Sequence, residues 1–196
     1  MLSHLNALTF VNWAAKTFAI TGDDRLSNHA PFNFDLSVLD IFVAVKAGAA
    51  ISLVPEGLSV FPLQLSKFIQ NQKITVWYSV PMELMQLLAR GKLAEGDFSS
   101  LRWILFAGEV FPTKHLRALM EKLPKPGYAN LYGPTETNVC ASYEVTALDP
   151  EASAPIPIGQ ACANTELVAI AEDGERVTGP VREGWLYARG STVMPG

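Results

Sequence analysis

The chain has 196 residues, 49% of them hydrophobic, which is enough for one sizeable domain with a well-filled core. Its net charge is -4, and no run of Lys and Arg stands out, so a nucleic-acid-binding surface is not expected. No stretch approaches the roughly 18 apolar residues of a membrane span, and the 2 cysteines are too few for a disulfide framework. We therefore expect a cytoplasmic protein with neither a membrane nor a nucleic-acid partner.

Helical and strand-like patterns alternate along the first three quarters of the chain. In chain order they predict a helix over residues 2–18, a strand over 25–30 and a helix over 35–47. A short apolar run over 50–54 follows, and then a helix over 63–70, a strand over 74–78, a helix over 81–88, a strand over 101–107 and a helix from Pro112. Such alternation predicts an α/β fold, with a mainly parallel sheet flanked by helices. In folds of this class, ligands bind at the carboxyl ends of the strands.

The segment over residues 35–47 is apolar nearly all round, which predicts a helix that is buried on every side. Asp35 is placed to cap its amino end, and Gly48 is placed to end it.

The pattern changes near residue 147. Residues 147–159 are rich in Pro and Ala and predict a connecting loop, and strands are predicted over 166–171 and 184–189 with a turn at Asp173-Gly174 between them. We therefore divide the chain into a central α/β part, residues 1–146, and a loop with the start of a smaller β-rich subdomain, residues 147–196. The chain starts in a helical pattern and stops in a loop, which favours an internal piece of a longer protein.

Residues 130–136 read Asn-Leu-Tyr-Gly-Pro-Thr-Glu and suit nucleotide binding. The ring of Tyr132 can stack on adenine, the hydroxyl of Thr135 can donate to a phosphate oxygen, and the carboxylate of Glu136 can hold Mg²⁺, which prefers oxygen ligands. A β-turn with an incidental Thr and Glu is the alternative. The full string of seven residues favours the nucleotide site.

Four motifs occur in a fixed order: Phe-Asp-Leu-Ser at residues 34–37, Ala-Gly-Glu at 107–109, the string at 130–136, and Glu-Gly-Trp-Leu-Tyr-Ala-Arg-Gly at 183–190. In this order they resemble the substrate loop, the adenine-contacting turn, the adenine and phosphate motif and the late strand of the adenylate-forming superfamily. That superfamily comprises amino-acid adenylation domains, acyl-CoA synthetases and firefly luciferase. The chain departs from the family pattern at Trp185, where Glu is usual.

The resemblance implies a ligase reaction in two steps that uses ATP and Mg²⁺. A substrate carboxylate attacks the α-phosphate and expels pyrophosphate, and a thiol of coenzyme A or of a carrier protein's phosphopantetheine then takes the acyl group. Catalysis of the first step consists mostly of positioning and charge neutralisation. By resemblance, Thr135 contacts the α-phosphate and Glu136 binds Mg²⁺ as catalytic residues. The nucleotide site implied is Gly108, Glu109, Asn130, Leu131, Tyr132, Gly133 and Thr135.

The substrate loop of the amino-acid enzymes carries an Asp that pairs with the substrate ammonium, and Asp35 occupies that position; the helix cap is its alternative role. The remaining lining implied by the resemblance is Leu36, Leu39, Tyr78, Leu105, Ala107, Leu131, Val139 and Cys140. Each of these residues could equally be core. An apolar pocket with one carboxylate at its mouth suits a small or medium neutral amino acid and disfavours a charged side chain.

This set of residues resembles that of stand-alone L-prolyl-carrier-protein ligases, with D-alanyl carrier-protein ligases next. The resemblance implies L-proline as the substrate and a carrier protein with its phosphopantetheine arm as the partner, as in nonribosomal peptide synthesis. The family's phosphate loop and its carboxy-terminal subdomain with the catalytic Lys are not found in the chain. We therefore expect the parent protein to be the enzyme and this piece alone to be inactive. An acyl-CoA or aryl-acid ligase, and a truncated non-catalytic module that binds nucleotide or carrier protein, remain as alternatives.

Overall fold

The structure is a computed structural model that describes residues 2–179 and 182–195; Met1, Pro180, Val181 and Gly196, which the two predicted parts include, lie outside the described residues. The helices are α1 (His4–Thr17), α2 (Ala44–Ala47), α3 (Pro62–Asn71), α4 (Pro81–Arg90) and α5 (Thr113–Lys122), with a π-helical turn at Leu39–Val43 and short 3-10 turns at Leu58–Val60 and Leu93–Glu95. The strands are β1 (Arg25–Asn28), β2 (Ala50–Leu53), β3 (Val76–Ser79), β4 (Trp103–Ala107), β5 (Gly127–Tyr132), β6 (Ala141–Glu144), β7 (Gln160–Ala161), β8 (Thr165–Ile170) and β9 (Trp185–Gly190).

Seven of the strands form one sheet in the order β2-β1-β3-β4-β5-β6-β7, and β1 to β5 are parallel. Strands β6 and β7 continue the sheet antiparallel, and β8 and β9 form a separate antiparallel pair. The predicted α/β fold with a mainly parallel sheet, followed by a β-rich part, is therefore confirmed. The last strand of the large sheet, β7, lies within the range predicted for the second part.

The strand order reverses between β1 and β3, because the chain passes from β1 to β2 on one side and then returns to β3 on the other. In open parallel sheets a ligand crevice forms outside the carboxyl ends of the strands at such a reversal. The segments that follow β1, β3, β4 and β5 all lie along that edge, since parallel strands share one carboxyl edge.

The sheet separates two buried clusters, because side chains alternate between its faces. Tyr78 and Leu105 face the cluster that contains α1 and the π-helical turn. Trp77, Ile104 and Phe106 face the cluster of α3, α4 and α5. A residue's position along β3, β4 or β5 thus decides which core it joins.

The helix predicted over residues 35–47 is confirmed over residues 37–47, although its middle is a π-helical turn that was not predicted. Asp35 and Leu36 form a turn before it. Asp35 does not cap it, because its side chain is engaged elsewhere, as described below. The expectation of burial on every side is also wrong, since Phe42 and Val45 are 55% and 69% exposed. Gly48 does end the helix, with φ +70° and its N–H bonded to carbonyls of the last turn.

Helix α1 begins at a capping box, in which Ser3 and Asn6 exchange hydrogen bonds between side chain and backbone. The amide of Asn6 also donates to the carbonyl oxygens of Ser191 (2.9 Å) and Val193 (2.8 Å). One residue further on, the N–H of Met194 donates to the carbonyl of Glu136 at 2.8 Å. The segment after β9 therefore joins the start of α1 to the loop after β5.

The loop between β6 and β7 has no regular structure, as predicted for residues 147–159, but side chains of α5 and β5 hold it in place. Thr113 donates to the carbonyl of Ala154 at 2.6 Å, and Asn130 donates to that of Pro157 at 2.9 Å.

Within residues 2–179 and 182–195, none of the helices has the length and apolar character needed to cross a lipid bilayer.

Asp24 is a buried carboxylate at the amino end of β1. It accepts hydrogen bonds from Thr75 Oγ1 (2.6 Å), from the N–H of Thr21 (2.9 Å) and from both Nε and Nη2 of Arg102 (2.9 and 2.8 Å). Burial by itself would raise the pKa of Asp24, but the hydrogen bonds from Arg102, Thr75 and Thr21 outweigh it and hold the pKa below its ordinary value of 3.8. This network ties β1 to the segments that precede β3 and β4.

We expect Asp24→Asn to lower the free energy of unfolding by about 2 kcal/mol near neutral pH, because Arg102 loses its charged partner. Since the pKa of the folded state is depressed, the carboxylate stabilises the fold fully above about pH 4 and ceases to do so as the pH falls through the folded pKa. Urea unfolding followed by tryptophan fluorescence tests this. A difference between wild type and variant that stays constant from about pH 7 to about pH 2 would contradict it.

Candidate functional site

The turns after β4 and β5 lie side by side at the carboxyl edge of the sheet. Ala107 is paired with Leu131, so Gly108 is level with Tyr132. Gly108 has φ +88°, a conformation that side chains disfavour, and it turns the chain sharply out of β4. Glu109 is exposed just beyond it, and Tyr132 is 39% exposed. The structure thus brings together the two motifs predicted to form the nucleotide site.

The string at residues 130–136 begins inside β5, which ends at Tyr132. Gly133 then packs so closely that a Cβ atom there would lie 2.3 Å from the carbonyl oxygen of Asn138. Asn138 itself adopts a left-handed conformation, with φ +58°. A hydrogen bond of 2.8 Å from the N–H of Cys140 to the carbonyl of Tyr132 closes the loop. The loop is therefore a tight, internally bonded turn.

Asp35 contacts this loop directly. Its Oδ2 atom accepts a hydrogen bond from Thr135 Oγ1 at 2.8 Å, and its carbonyl oxygen accepts one from Asn138 Nδ2 at 3.0 Å. The predicted substrate loop and the predicted phosphate motif, 100 residues apart, are therefore bonded to each other. Asn138 was not predicted as a site residue, although Asn at the end of a turn motif is a signal for a left-handed residue.

All of the other residues predicted to line the substrate pocket are buried, each no more than 7% exposed. Tyr78 pairs with Leu105 across β3 and β4, so the two side chains share a face of the sheet. Seven of the eight belong to one apolar cluster that includes both: Leu36, Leu39, Tyr78, Leu105, Ala107, Leu131 and Val139. The eighth, Cys140, follows Val139 and is equally buried. The structure therefore brings the set together as closed, packed side chains beside Asp35.

Asp40 is a polar residue of this region that the sequence analysis did not single out. It is 1% exposed, and its Oδ2 accepts a hydrogen bond from Asn28 Nδ2 at 3.2 Å. Burial raises its pKa well above the ordinary range, and the bond from Asn28 only partly opposes this. An acidic residue in an otherwise apolar stretch was the available signal.

The exposed groups at this edge suit the ligands predicted from the sequence. Thr135 and Glu136 are both exposed, and Glu136 uses its backbone carbonyl, not its carboxylate, to hold Met194. An exposed carboxylate is a donor that Mg²⁺ accepts. Tyr132 presents part of its ring beside two glycine turns, where a flat ring system could approach the backbone. These residues therefore fit a nucleotide and its metal ion.

The sequence profile described as "AMP-binding enzyme" matches residues 1–196, the whole of the chain. The chain belongs to the AMP-binding enzyme family. The resemblance on which the four sequence motifs were compared is therefore confirmed at the level of the family.

Two similar proteins of this family are named as carrier-protein ligases. An L-proline–[L-prolyl-carrier protein] ligase of Pseudomonas fluorescens is 47% identical over 100% of this chain, which spans 39% of that protein. A D-alanine–D-alanyl carrier protein ligase of Bacillus licheniformis is 31% identical over 97% of this chain, which spans 38% of that protein. The chain thus spans well under half the length of the relatives it matches.

A solved structure of an AMP-binding relative also matches the whole chain. The Vibrio cholerae adenylation domain AlmE, in complex with glycyl-adenosine-5'-phosphate, has a TM-score of 0.86 and 30% identity, with 100% of this chain and 37% of that one covered. The α/β architecture described above is therefore that of an adenylation domain.

Proposed function

We propose that the protein to which this chain belongs activates an amino acid, most specifically L-proline, with ATP and transfers it to the phosphopantetheine thiol of a carrier protein. The hydrogen bond between Asp35 and Thr135 carries this proposal, because it joins the carboxylate that would bind the amine to the motif that would bind the phosphates. The 47% identity to an L-prolyl-carrier-protein ligase supports proline as the substrate. A protein of this kind would act in the cytoplasm.

The position of Asp35 explains why an α-amino acid suits the site. In an α-amino acid the carboxylate carbon lies two bonds from the amine nitrogen. An ammonium bound at Asp35 would therefore place the carboxylate beside Thr135, only 2.8 Å from the Asp35 carboxylate. Holding the attacking group next to the phosphate in this way is a major source of rate enhancement.

The remaining roles follow the positions of the side chains. ATP, when bound, supplies the α-phosphorus that the substrate carboxylate attacks and pyrophosphate as the leaving group. The hydroxyl of Thr135 would orient an α-phosphate oxygen, and the carboxylate of Glu136 would hold Mg²⁺. The adenine would lie at Tyr132 between the turns at Gly108 and Gly133, with Glu109, Asn130 and Leu131 completing the slot.

The apolar cluster beside Asp35 would receive the substrate side chain. Its members have no charge to pair with a charged side chain, whereas the proline ring is apolar. The secondary ammonium of proline can donate to Asp35. Selection of proline over a neighbour that differs by one methylene is worth only about 1–3 kcal/mol, so the shape of this cluster has to be close-fitting.

Exchange of labelled pyrophosphate into ATP, driven by each candidate acid, tests the proposal in the full-length protein. We expect L-proline to give the highest exchange, D-alanine to give less, and a fatty-acid panel and an aryl acid to give none above background. The 196-residue chain alone is expected to show no substrate-dependent exchange. Exchange driven by fatty or aryl acids, without a response to proline, would favour the acyl-CoA or aryl-acid ligase instead.

A further inference from the structure

A histidine at the reversal of the strand order joins three segments of the carboxyl edge. His29 follows β1, Ser59 lies in the 3-10 turn after β2, and Glu83 lies in the first turn of α4, after β3. The Nε2 atom of His29 lies 2.7 Å from Ser59 Oγ and 3.6 Å from Glu83 Oε2. Its ring also packs on that of Trp77 in β3, with 5.4 Å between the ring centroids. One side chain therefore ties the loop after β1 to the segments that follow both neighbouring strands.

The contact with Ser59 is the stronger of the two polar contacts of His29. Burial lowers the pKa of His29, so the ring is neutral near pH 7, and one of its nitrogens accepts a hydrogen bond while the other donates. A neutral ring forms no ion pair with Glu83, and 3.6 Å is too long for a hydrogen bond. At 2.7 Å the contact with Ser59 is a hydrogen bond, whichever atom donates. The Ser59 hydroxyl is therefore the group that orients the ring.

The loop that follows His29 carries Asp35 and is held mainly at its two ends. Residues 31–34 are all exposed, and within the described part of the chain their hydrogen bonds lie inside residues 31–37. Exposed segments with few buried contacts have low local stability. The conformation of this loop therefore depends on His29 at one end and on the two hydrogen bonds of Asp35 to the loop after β5 at the other.

We propose that His29 is a positioning residue for amino-acid binding, because its hydrogen bond to Ser59 fixes the start of the loop that holds Asp35 in place for the substrate ammonium. This inference rests on the proposed function. Without the bond the loop would adopt further conformations, and the apparent affinity for the amino acid would fall with the fraction in which Asp35 is correctly placed. The nucleotide would be affected less, since the turn that carries Thr135 is closed by its own contacts, with Gly133 packed on Asn138.

Pyrophosphate exchange in the full-length enzyme, with L-proline and ATP varied separately, tests the inference. Ser59→Ala removes the hydroxyl and leaves the ring of His29 in place, whereas His29→Leu removes the nitrogen and keeps an apolar group against Trp77. We expect each variant to raise the KM for proline about fivefold, the effect of one lost hydrogen bond, with the KM for ATP within about twofold of wild type.

Two further variants separate the hydrogen bond from other effects of the substitutions. The double variant of His29→Leu with Ser59→Ala should raise the KM for proline no more than either single variant, because all three lack the same bond. His29→Gln, whose amide group can still bond to the Ser59 hydroxyl, should keep the KM for proline within about twofold of wild type. An additive increase in the double variant, about 25-fold, would contradict a shared bond.

Ser100→Ala is the matched control. Ser100 is also half-buried, and its hydroxyl donates to the carbonyl of Ile74 at 3.0 Å, but it lies before β4 at the amino edge of the sheet. The control loses a hydrogen bond of the same kind and should leave both KM values at the wild-type level. Hydrogen exchange measured by mass spectrometry gives a readout that needs no substrate. We expect faster amide exchange over residues 31–38 in Ser59→Ala than in wild type, and no such change in Ser100→Ala.

The outcomes separate this inference from the proposed function. A KM for proline within about twofold of wild type in both Ser59→Ala and His29→Leu would overturn the inference. An equal rise in the KM for ATP, or the same rise for proline in Ser100→Ala, would also overturn it, because a general loss of stability would then account for the effect. If His29→Leu does not fold, Ser59→Ala and its amide exchange decide the question. A wild-type enzyme without proline-dependent exchange would instead refute the proposed function itself.

Discussion

Asp35→Asn is expected to reduce kcat/KM for L-proline by about 100-fold in the full-length protein, because a substrate ammonium loses its charged, partly buried partner. The substitution isolates the charge. Asn retains a side-chain oxygen that can still accept the hydrogen bond from Thr135 Oγ1, and the backbone carbonyl still accepts that from Asn138. The loop geometry should therefore survive, and the KM for ATP should change little.

Kinetics of pyrophosphate exchange with proline and ATP varied separately measure this effect. Asp23→Asn is the matched control, since Asp23 is an exposed aspartate at the opposite, amino-terminal edge of β1. We expect the control to behave as wild type. If Asp35→Asn lost less than about threefold in kcat/KM for proline, the amine site would have to be placed elsewhere.

Gly133→Ala is expected to destabilise the loop that carries Thr135 and Glu136. The added Cβ would lie 2.3 Å from the carbonyl oxygen of Asn138 and 2.9 Å from its carbonyl carbon, and these are backbone atoms that cannot rotate away. Forcing the loop apart should cost about 3 kcal/mol, at the upper end of the range for overpacking. A displacement of about 1 Å at the phosphate motif should in addition lower kcat about 100-fold.

Thermal unfolding and pyrophosphate exchange of the same preparations measure the two effects of Gly133→Ala. Gly179→Ala is the control, because a Cβ at Gly179 meets no atom within 4 Å and its φ is not left-handed. The control should retain wild-type stability and activity. Wild-type exchange in Gly133→Ala would show that the close approach to Asn138 does not position the catalytic loop.

The alternation of helices and strands could be read from the sequence because each element buries one apolar stripe or face. The strand over residues 101–107 and the helix from Pro112 lie close to their predicted bounds. The partner of the Asp35 side chain could not be predicted in the same way. Asp35 precedes an apolar run and so carries the local signal of a helix cap, but Thr135, 100 residues away, binds its side chain instead. No local pattern shows that competition.

The sequence predicted which residues belong to the candidate site, but it did not predict how their side chains contact one another. The motif order identified Asp35 and Thr135, and parallel strands brought the turns after β4 and β5 to one edge. The bond between Asp35 and Thr135 could not be predicted, because it depends on how the loops after β1 and β5 fold over that edge. Asp40 was missed for a related reason: the π-helical turn that aims it inward has no recognised sequence signature.

The segment after β9 has a consequence for exchanging parts between homologous genes. Asn6 binds the carbonyls of Ser191 and Val193, and Met194 binds Glu136, so residues up to 187 positions apart meet at one place. A chimera whose crossover falls between α1 and β9 would combine an Asn6 from one parent with a tail from the other. A chimera of two relatives should therefore keep these hydrogen bonds only when α1, the loop at Glu136 and the segment after β9 come from the same parent.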